Sequence, residues 1–437
     1  MGTDQNRIKP MFNKEPEISV GILSAPTIHF ILHGNFIDSL TGGMVSGEQE
    51  VGVKAYFGKR LFMPDSAESF FELKGVKIGK DFHWEREETQ RFRGTLKIIS
   101  EGDQLTAVNV IGIEEYLRSV ISSEMSAGSP PESLKAHAVI SRSWLLSQVI
   151  NKEKKEAKSS SLLTDFEYIR WYDREEHQSY DVCADDHCQR YQGITRISSP
   201  EVDLAIDSTR GQVLIYRGEI CDARYSKCCG GMTEAFENVW EPSPRPYLKP
   251  IRDLAVPPIY ASDLSTEDKA RPWIVTSPPA FCNTEDKALL STVLNNYDQE
   301  TPDFYRWQVE YTQSVLSELI RRRLDIDFGT VEELIPVQRG VSGRLVKLKI
   351  VGSLRTMTIG KELLIRKALS ESHLYSSAFV IDTTEKVGEK VFILKGAGWG
   401  HGVGLCQIGA AVMGSQGYTH TEILQHYYPE AELKKGY

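Results

Sequence analysis

Glu124 stands in the run Ser123-Glu124-Met125, between two stretches of helical periodicity. Cleaving a glycosidic bond needs a carboxylic acid to protonate the leaving oxygen. That acid must be rigidly positioned, and burial helps it keep its proton. A carboxylate between two packed helices, beside an apolar Met125, suits this work; a surface or capping acid is the alternative reading. Glu234 is the best second carboxylate, and a structural or substrate-orienting role fits it better. Lys135 and Arg142 lie seven apart and share a helix face, where they either bind the lactyl carboxylate of a sugar or support the fold.

The chain has seven cysteines, five of them between Cys183 and Cys229 and close to His177 and His187. An odd count at irregular spacing argues against a full disulfide framework. The clustering favours a metal site, with reduced buried cysteines as the alternative. Near the C-terminal end, Gly396 to Gly409 is dense in glycine and carries Trp399, His401 and Gln407. Trp399 offers an apolar face for stacking on a sugar, and His401 and Gln407 offer polar contacts. The pattern is not a phosphate-cradling loop. Gly230-Gly231, after Tyr225, permits positive φ and close backbone approach, which serves a groove floor or a plain tight turn.

These residues need elements to hold them. Alternation in residues 17 to 35 predicts a β-hairpin around Ser24-Ala25-Pro26. Strand-like pieces follow at 54–57, 75–78, 95–99 and 105–110, the last two joined by a Gly102-Asp103 turn. Ile113, Leu117, Val120 and Ile121 form one helical face. After a break at Met125 to Pro131, Ser129-Pro130-Pro131-Glu132 reads as an N-cap, an N1 proline and a capping-box Glu. Leu134, Ala138, Ser141 and Leu145 line one side of the second helix, so Glu124 is expected in the link between the two. Residues 151–162 read as a charged surface loop, 203–236 as strands, and 314–323 as helix. The expected class is mixed α+β, strand-rich, with a helix pair carrying Glu124 and a groove for a polymer. The expected organisation is an N-terminal extension (1–17), a core with an N-terminal β region (18–251), an insertion or subdomain (252–335) and the remainder of the core (336–437).

The bulk numbers set limits. A net charge of −9 over 437 residues gives no electrostatic footprint for nucleic acid or an anionic membrane, and leaves an uncharged glycan open. No apolar run is long enough to span a bilayer. The polar start lacks an apolar signal segment, which fits either a cytoplasmic protein or one whose export signal has been removed.

Several blocks together resemble the SpoIID/LytB family of bacterial cell-wall proteins. Tyr116-Leu117 through Glu124-Met125 to Glu132-Ser133-Leu134-Lys135-Ala136-His137-Ala138-Val139-Ile140-Ser141-Arg142 is similar to its helical block, with His137 where Gln is usual. Asp185-Asp186-His187-Cys188-Gln189-Arg190-Tyr191-Gln192-Gly193 and Tyr225 to Glu234 resemble two further segments. Gly396 to Ala410, with Gly417-Tyr418 and His426-Tyr427-Tyr428-Pro429, resembles the family's C-terminal block almost residue for residue, with Cys406 for the usual Ser and Glu430 for the usual Gly. The likeness runs from about residue 18 to 436 and is weakest over 252–335.

The resemblance implies a peptidoglycan lytic transglycosylase with Glu124 as acid and base. It implies glycan contacts from Lys135, His137, Arg142, Tyr225, Trp399, His401 and Gln407. It also implies a structural Zn²⁺ held by His177, Cys183, His187 and Cys188. The expected partners are peptidoglycan glycan strands and a cell-wall amidase, not nucleic acid, and the expected location is extracytoplasmic. The alternative within the family is an amidase enhancer that binds without cutting. A thiol hydrolase pairing Cys406 with His401 is a third reading, against which the usual Ser of relatives argues.

Overall fold

The computed structural model describes residues 12–437 apart from 54–57, 80–85, 127, 152–160, 172–176, 186, 197–198, 256–262 and 294–302. The strand expected at 54–57 and most of the charged loop lie outside the described residues. The protein is mixed α/β and strand-rich, and its contacts divide it into two units. The first holds 1–154, 175–222 and 432–437; the second holds 155–174 and 223–431. Among the described residues no helix is long and apolar enough to cross a membrane.

The first unit is built on a nine-stranded sheet. Its strands are β1 (Glu17–Ala25), β2 (Thr27–Asp38), β3 (Met44–Gly52), β4 (Lys59–Pro64), β5 (Phe70–Ile78), β6 (Arg86–Arg93), β7 (Thr95–Glu101), β8 (Gln104–Gly112) and the short strand Val182–Cys183. From one edge the order is Val182–Cys183, β1, β8, β7, β4, β2, β5, β6, with β3 also on β2. β7 and β8 form the hairpin that Gly102-Asp103 predicts. The hairpin expected around Ser24-Ala25-Pro26 does not form. β1 pairs with β8, and β2 pairs with β3, β4 and β5. Pro26 alone separates the two strands, too little for a two-residue turn.

β8 runs directly into helix α1 (Ile113–Glu124), whose first turn carries Glu114 and Glu115 against the positive end of the helix dipole. α1 stops because Met125 is extended and buried. Glu124 is therefore the last residue of α1, not part of the link. Helix α2 (Pro131–Asn151) starts one residue later than the Ser-Pro pattern suggests, with the Pro130 carbonyl accepting from Leu134 N–H. It is buried on nearly every side from Ser133 to Ser147, not along one stripe. That explains its small residues: Ser143 Oγ donates to the Val139 carbonyl and accepts from Leu214 N–H. Residues 203–208, expected as strand, belong to helix α3 (Pro200–Ser208), because Ser199 caps it and Pro200 starts it. The strand Gln212–Tyr216 follows, pairing with Glu432–Lys435.

The second unit contains a five-stranded sheet in the order Val331–Arg339, Leu345–Gly352, Thr356–Gly360, Glu167–Arg170, Ser161–Leu163. A three-stranded sheet places Glu389–Ala397 between Arg306–Thr312 and Phe379–Lys386. The helix expected at 314–323 spans Gln313–Leu324 and is capped by Thr312. Its Leu316 and Ile320 join Leu345, Ile350, Ile359, Phe379 and Phe392 in one core cluster.

At the centre of the first unit lies a buried ion pair. Arg142 Nη2 and Nε donate to Glu114 at 2.6 and 3.1 Å, with Arg142 wholly shielded from solvent. Gly211 N–H and the Tyr437 hydroxyl also donate to Glu114. Burial alone would raise the Glu114 carboxyl. The Arg142 charge and these hydrogen bonds outweigh it and hold the carboxyl below its ordinary value. Removing one member strands a buried charge, so Arg142→Met is expected to cost about 3–5 kcal/mol in urea unfolding. The folded pKa of Glu114 lies below its unfolded value of about 4.5. Its stabilising contribution is therefore full above about 4.5 and lost as pH falls through the folded value. Stability measured across that acid range is expected to drop less steeply in Glu114→Gln than in the wild type.

Candidate functional site

Glu124 is half-buried at the C-terminal end of α1. Its Oε1 accepts from Arg190 N–H at 3.1 Å. The segment that supplies this N–H lies along α1 and is pinned at several points. The Tyr116 hydroxyl donates to Gln189 Oε1, Gln192 N–H donates to Ser119 Oγ, and the Tyr191 hydroxyl donates to Asn109 Oδ1 at 2.6 Å. The Tyr191 ring stacks on Tyr116 at 4.9 Å between centroids. Gly193 turns the chain with φ 55°, and a Cβ there would sit 2.2 Å from the Arg91 carbonyl oxygen. The position needs glycine on both counts.

Immediately before this segment, the donor atoms of His177, Cys183, His187 and Cys188 lie within 4.8 Å of one another. Cys188 Sγ is 3.5 Å from His177 Nε2 and 3.6 Å from His187 Nδ1, and Cys183 Sγ is 3.9 Å from His187 Nδ1. A tetrahedral zinc with Zn–S of about 2.3 Å and Zn–N of about 2.05 Å sets sulfur–nitrogen edges of about 3.6 Å. The four residues fit that ion. Val182–Cys183 pairs with β1, and His177 stacks on Tyr180, so the sheet edge holds the cluster. Hydrogen bonds with Cys188, His177 and His187, acting against burial, hold the Cys183 thiol far below its ordinary range, in the thiolate form that binds metals.

The α2 residues divide. Lys135 is half-buried and pairs with Glu132 at 2.6 Å. His137 is buried, with Nδ1 3.3 Å from Ser141 Oγ. Arg142, committed to Glu114, supports the fold from inside. A cavity of about 650 Å³ in the first unit is lined by Arg93, Glu115, Arg118, Tyr191 and Arg196 among others, and Glu124 is not among its lining residues.

The remaining candidates belong to the second unit. Trp399 is half-buried between Phe304 and Tyr375, and its backbone bridges to Cys228 in both directions. His401 is half-buried, accepts from Val403 N–H at Nδ1 and meets Trp240 edge-on. Burial and the Arg224, Arg344 and Arg366 guanidiniums push it well below the ordinary histidine range, so it is neutral. Tyr225 is half-buried in a parallel pair with Leu405, and Gln407 is buried at the start of the helix Gln407–Ser415. Glu234 is fully buried. It accepts from Ala235 N–H and Asn238 on one oxygen and from Ser342 Oγ on the other. Buried Arg344 donates to the Cys229 and Gly400 carbonyls. A Cβ at Gly402 would fall 2.3 Å from its Cζ, so that glycine serves packing. Cys406 is fully buried, which leaves a polymer-cleaving thiol there without access.

Residues 101–216, which include α1, Glu124 and the His/Cys cluster, match the model of the family described as stage II sporulation protein, SpoIID. Residues 234–404 match a domain of unknown function, DUF8618. The chain is 26% identical to an uncharacterized protein of Brachyspira hyodysenteriae, over 78% of this chain and 72% of that one. It is 23% identical to the stage II sporulation protein D of Bacillus amyloliquefaciens, over 75% of this chain and 76% of that one. It is 27% identical to the amidase enhancer of Bacillus subtilis, over 72% of this chain but 40% of the longer relative.

Sequence reasoning missed a second convergence. Asp253, Cys229, Cys282 and Cys406 meet in the second unit, although Cys229 and Cys406 are 177 residues apart. Spacing carried no signal for it, since only the fold brings them together. Within the matched residues 101–216, Gly193→Ala is expected to cost about 1–3 kcal/mol from backbone strain alone, read as a lower urea midpoint with unchanged slope.

Proposed function

We propose that the protein is a peptidoglycan lytic transglycosylase that cleaves the MurNAc–GlcNAc β-1,4 bond, with Glu124 as its single acid and base. The observation that carries this reading is the fixing of a half-buried Glu124 carboxyl at the end of α1 by Arg190 N–H, from a segment anchored to α1. Positioning is what a general acid needs first. Glu124 donates its proton to the leaving O4 as the C1–O4 bond breaks. The carboxylate then takes the proton of the muramyl C6 hydroxyl as that oxygen closes on C1. The acid is regenerated and no water is consumed. One carboxylate suffices because the nucleophile belongs to the substrate, unlike the two-carboxylate glycosidases. Glu234, saturated by its own hydrogen bonds, is left to the fold.

In this reading His177, Cys183, His187 and Cys188 hold one structural zinc with every position filled. The ion ties the start of the anchored segment to the sheet edge, two residues before Arg190. Lys135, Tyr225, Trp399 and His401, each half-buried, remain as glycan contacts. The site of action is the cell envelope.

A second reading rests on the likeness to the amidase enhancer. There the chain binds glycan or a cell-wall amidase and cuts nothing.

Digestion of purified glycan strands separates the two. Wild type is expected to release products ending in 1,6-anhydro-MurNAc, seen by mass spectrometry. Glu124→Gln, nearly isosteric, is expected to keep fold and binding and lose about 10²–10⁴-fold in rate. Reducing-end MurNAc would mean that water attacked. Intact strands with both proteins, together with stimulation of an amidase by both, would replace the enzyme reading by the enhancer reading. For the metal, Cys183→Ser/Cys188→Ser is expected to hold one zinc fewer per chain than wild type by elemental analysis. An equal zinc content, or a Cys183–Cys188 disulfide in the wild type, would refute this ligand set.

A further inference from the structure

The second unit buries four potential metal ligands that the proposed reaction does not use. Cys229 follows the strand Tyr225–Ser226 and precedes Gly230-Gly231. Asp253 lies beyond that turn, Cys282 lies between the helices Glu267–Val275 and Lys287–Val293, and Cys406 caps the helix Gln407–Ser415. All four are buried, and one donor atom from each lies within 4.8 Å of every other. We propose that Cys229, Asp253, Cys282 and Cys406 form a second metal site, closed by four protein donors and suited to a zinc-class cation.

The geometry is that of ligands around an ion and not that of a disulfide. Cys229 and Cys282 sulfurs are 3.6 Å apart. A disulfide requires about 2.05 Å, whereas two thiolates on one tetrahedral zinc stand about 3.8 Å apart. The surroundings are arranged for sulfur as an anion. Cys406 Sγ accepts from Cys229 N–H at 3.2 Å and from Gly409 N–H at 3.4 Å, the latter in the first turn of its helix. Asp253 is oriented from both sides, by the Tyr427 hydroxyl at 2.6 Å on Oδ1 and by Cys282 N–H at 2.9 Å on Oδ2. Both donors are neutral, and hydrogen-bonded carboxylates of this kind are typical of metal ligands. His426 Nε2 stands 3.9 Å from Asp253 Oδ1, and a cation among the sulfurs would further offset the cost of burying that carboxylate. Cys228 is buried next in sequence, yet it is not one of the four whose donors converge.

Three thiolates and a carboxylate select a borderline-soft dication over magnesium or calcium. With no open position, the ion would act structurally. It would link the Gly230-Gly231 turn, the loop of Cys282 and the entry to the helix Gln407–Ser415. The site shares no residue with the His177–Cys188 cluster and does not depend on it.

Anomalous diffraction at the zinc edge, from crystals of the wild-type chain purified under reducing conditions, tests the proposal without any variant. A peak between the Cys229, Cys282 and Cys406 sulfurs and Asp253 is expected. No peak there, or a Cys229–Cys282 disulfide, overturns it, whatever is found at His177–Cys188. A peak at the new site alone sustains it and refutes the first cluster instead. In solution, the full chain carrying Cys183→Ala/Cys188→Ala is expected to retain one zinc by elemental analysis. Folded protein with none overturns the proposal. If that variant does not fold, the wild-type diffraction experiment still decides.

Discussion

The Glu114–Arg142 pair is the constraint on which the first unit turns. One carboxylate gathers a guanidinium from α2, a backbone N–H from the residue before the strand Gln212–Tyr216, and a hydroxyl from Tyr437. Glu114 itself sits in the first turn of the helix that ends in Glu124. Any displacement of this hub therefore shifts α1 as a rigid rod, and the candidate acid moves with it. A buried pair is weak evidence for net stability, but leaving either charge alone is severe. The pair thus acts chiefly as a register pin: it allows one arrangement of α1 against α2 and penalises the rest.

The glycine-rich run illustrates how a strong motif can carry packing as well as chemistry. Gly402 admits the Arg344 guanidinium, and Gly404, at φ 75°, approaches the Arg224 carbonyl so closely that a Cβ would be 1.9 Å from its oxygen. His401 is drawn into the same fabric, with its ring nitrogen spent on Val403 N–H. Burial, aided by cationic neighbours, keeps it neutral. A neutral imidazole can donate or accept a hydrogen bond but cannot offer a positive charge to an anionic group.

Much of this was legible in the residues. The β7–β8 hairpin follows from a Gly-Asp turn between alternating runs, and α1 from its apolar face. The convergence of His177, Cys183, His187 and Cys188 was anticipated by clustering and by family likeness. Other features were not legible, for physical reasons. Alternation marks β1 and β2 as strands but says nothing about their partners, which are other strands and not each other. α2 is too deeply buried to show a polar face, so its pattern understated its enclosure. Arg142 was open to either a sugar carboxylate or the fold, since its partner Glu114, 28 residues away, meets it only in the folded chain. The Cys229–Asp253–Cys282–Cys406 convergence depends wholly on long-range folding.

The strand Glu432–Lys435 belongs to the first unit, yet it follows all of the second in the chain. Its partner Gln212–Tyr216 is made more than 200 residues earlier. During synthesis, the ribosome must deliver 223–431 before that sheet can close and before the Tyr437 hydroxyl can reach Glu114. Domains usually fold in the order they emerge, but here the earlier unit waits for the later one. The closure is a long-range contact of the kind that slows folding. Until it forms, Gln212–Tyr216 keeps an open edge, so a nascent chain retains an unfinished first unit until residues 432–437 have emerged.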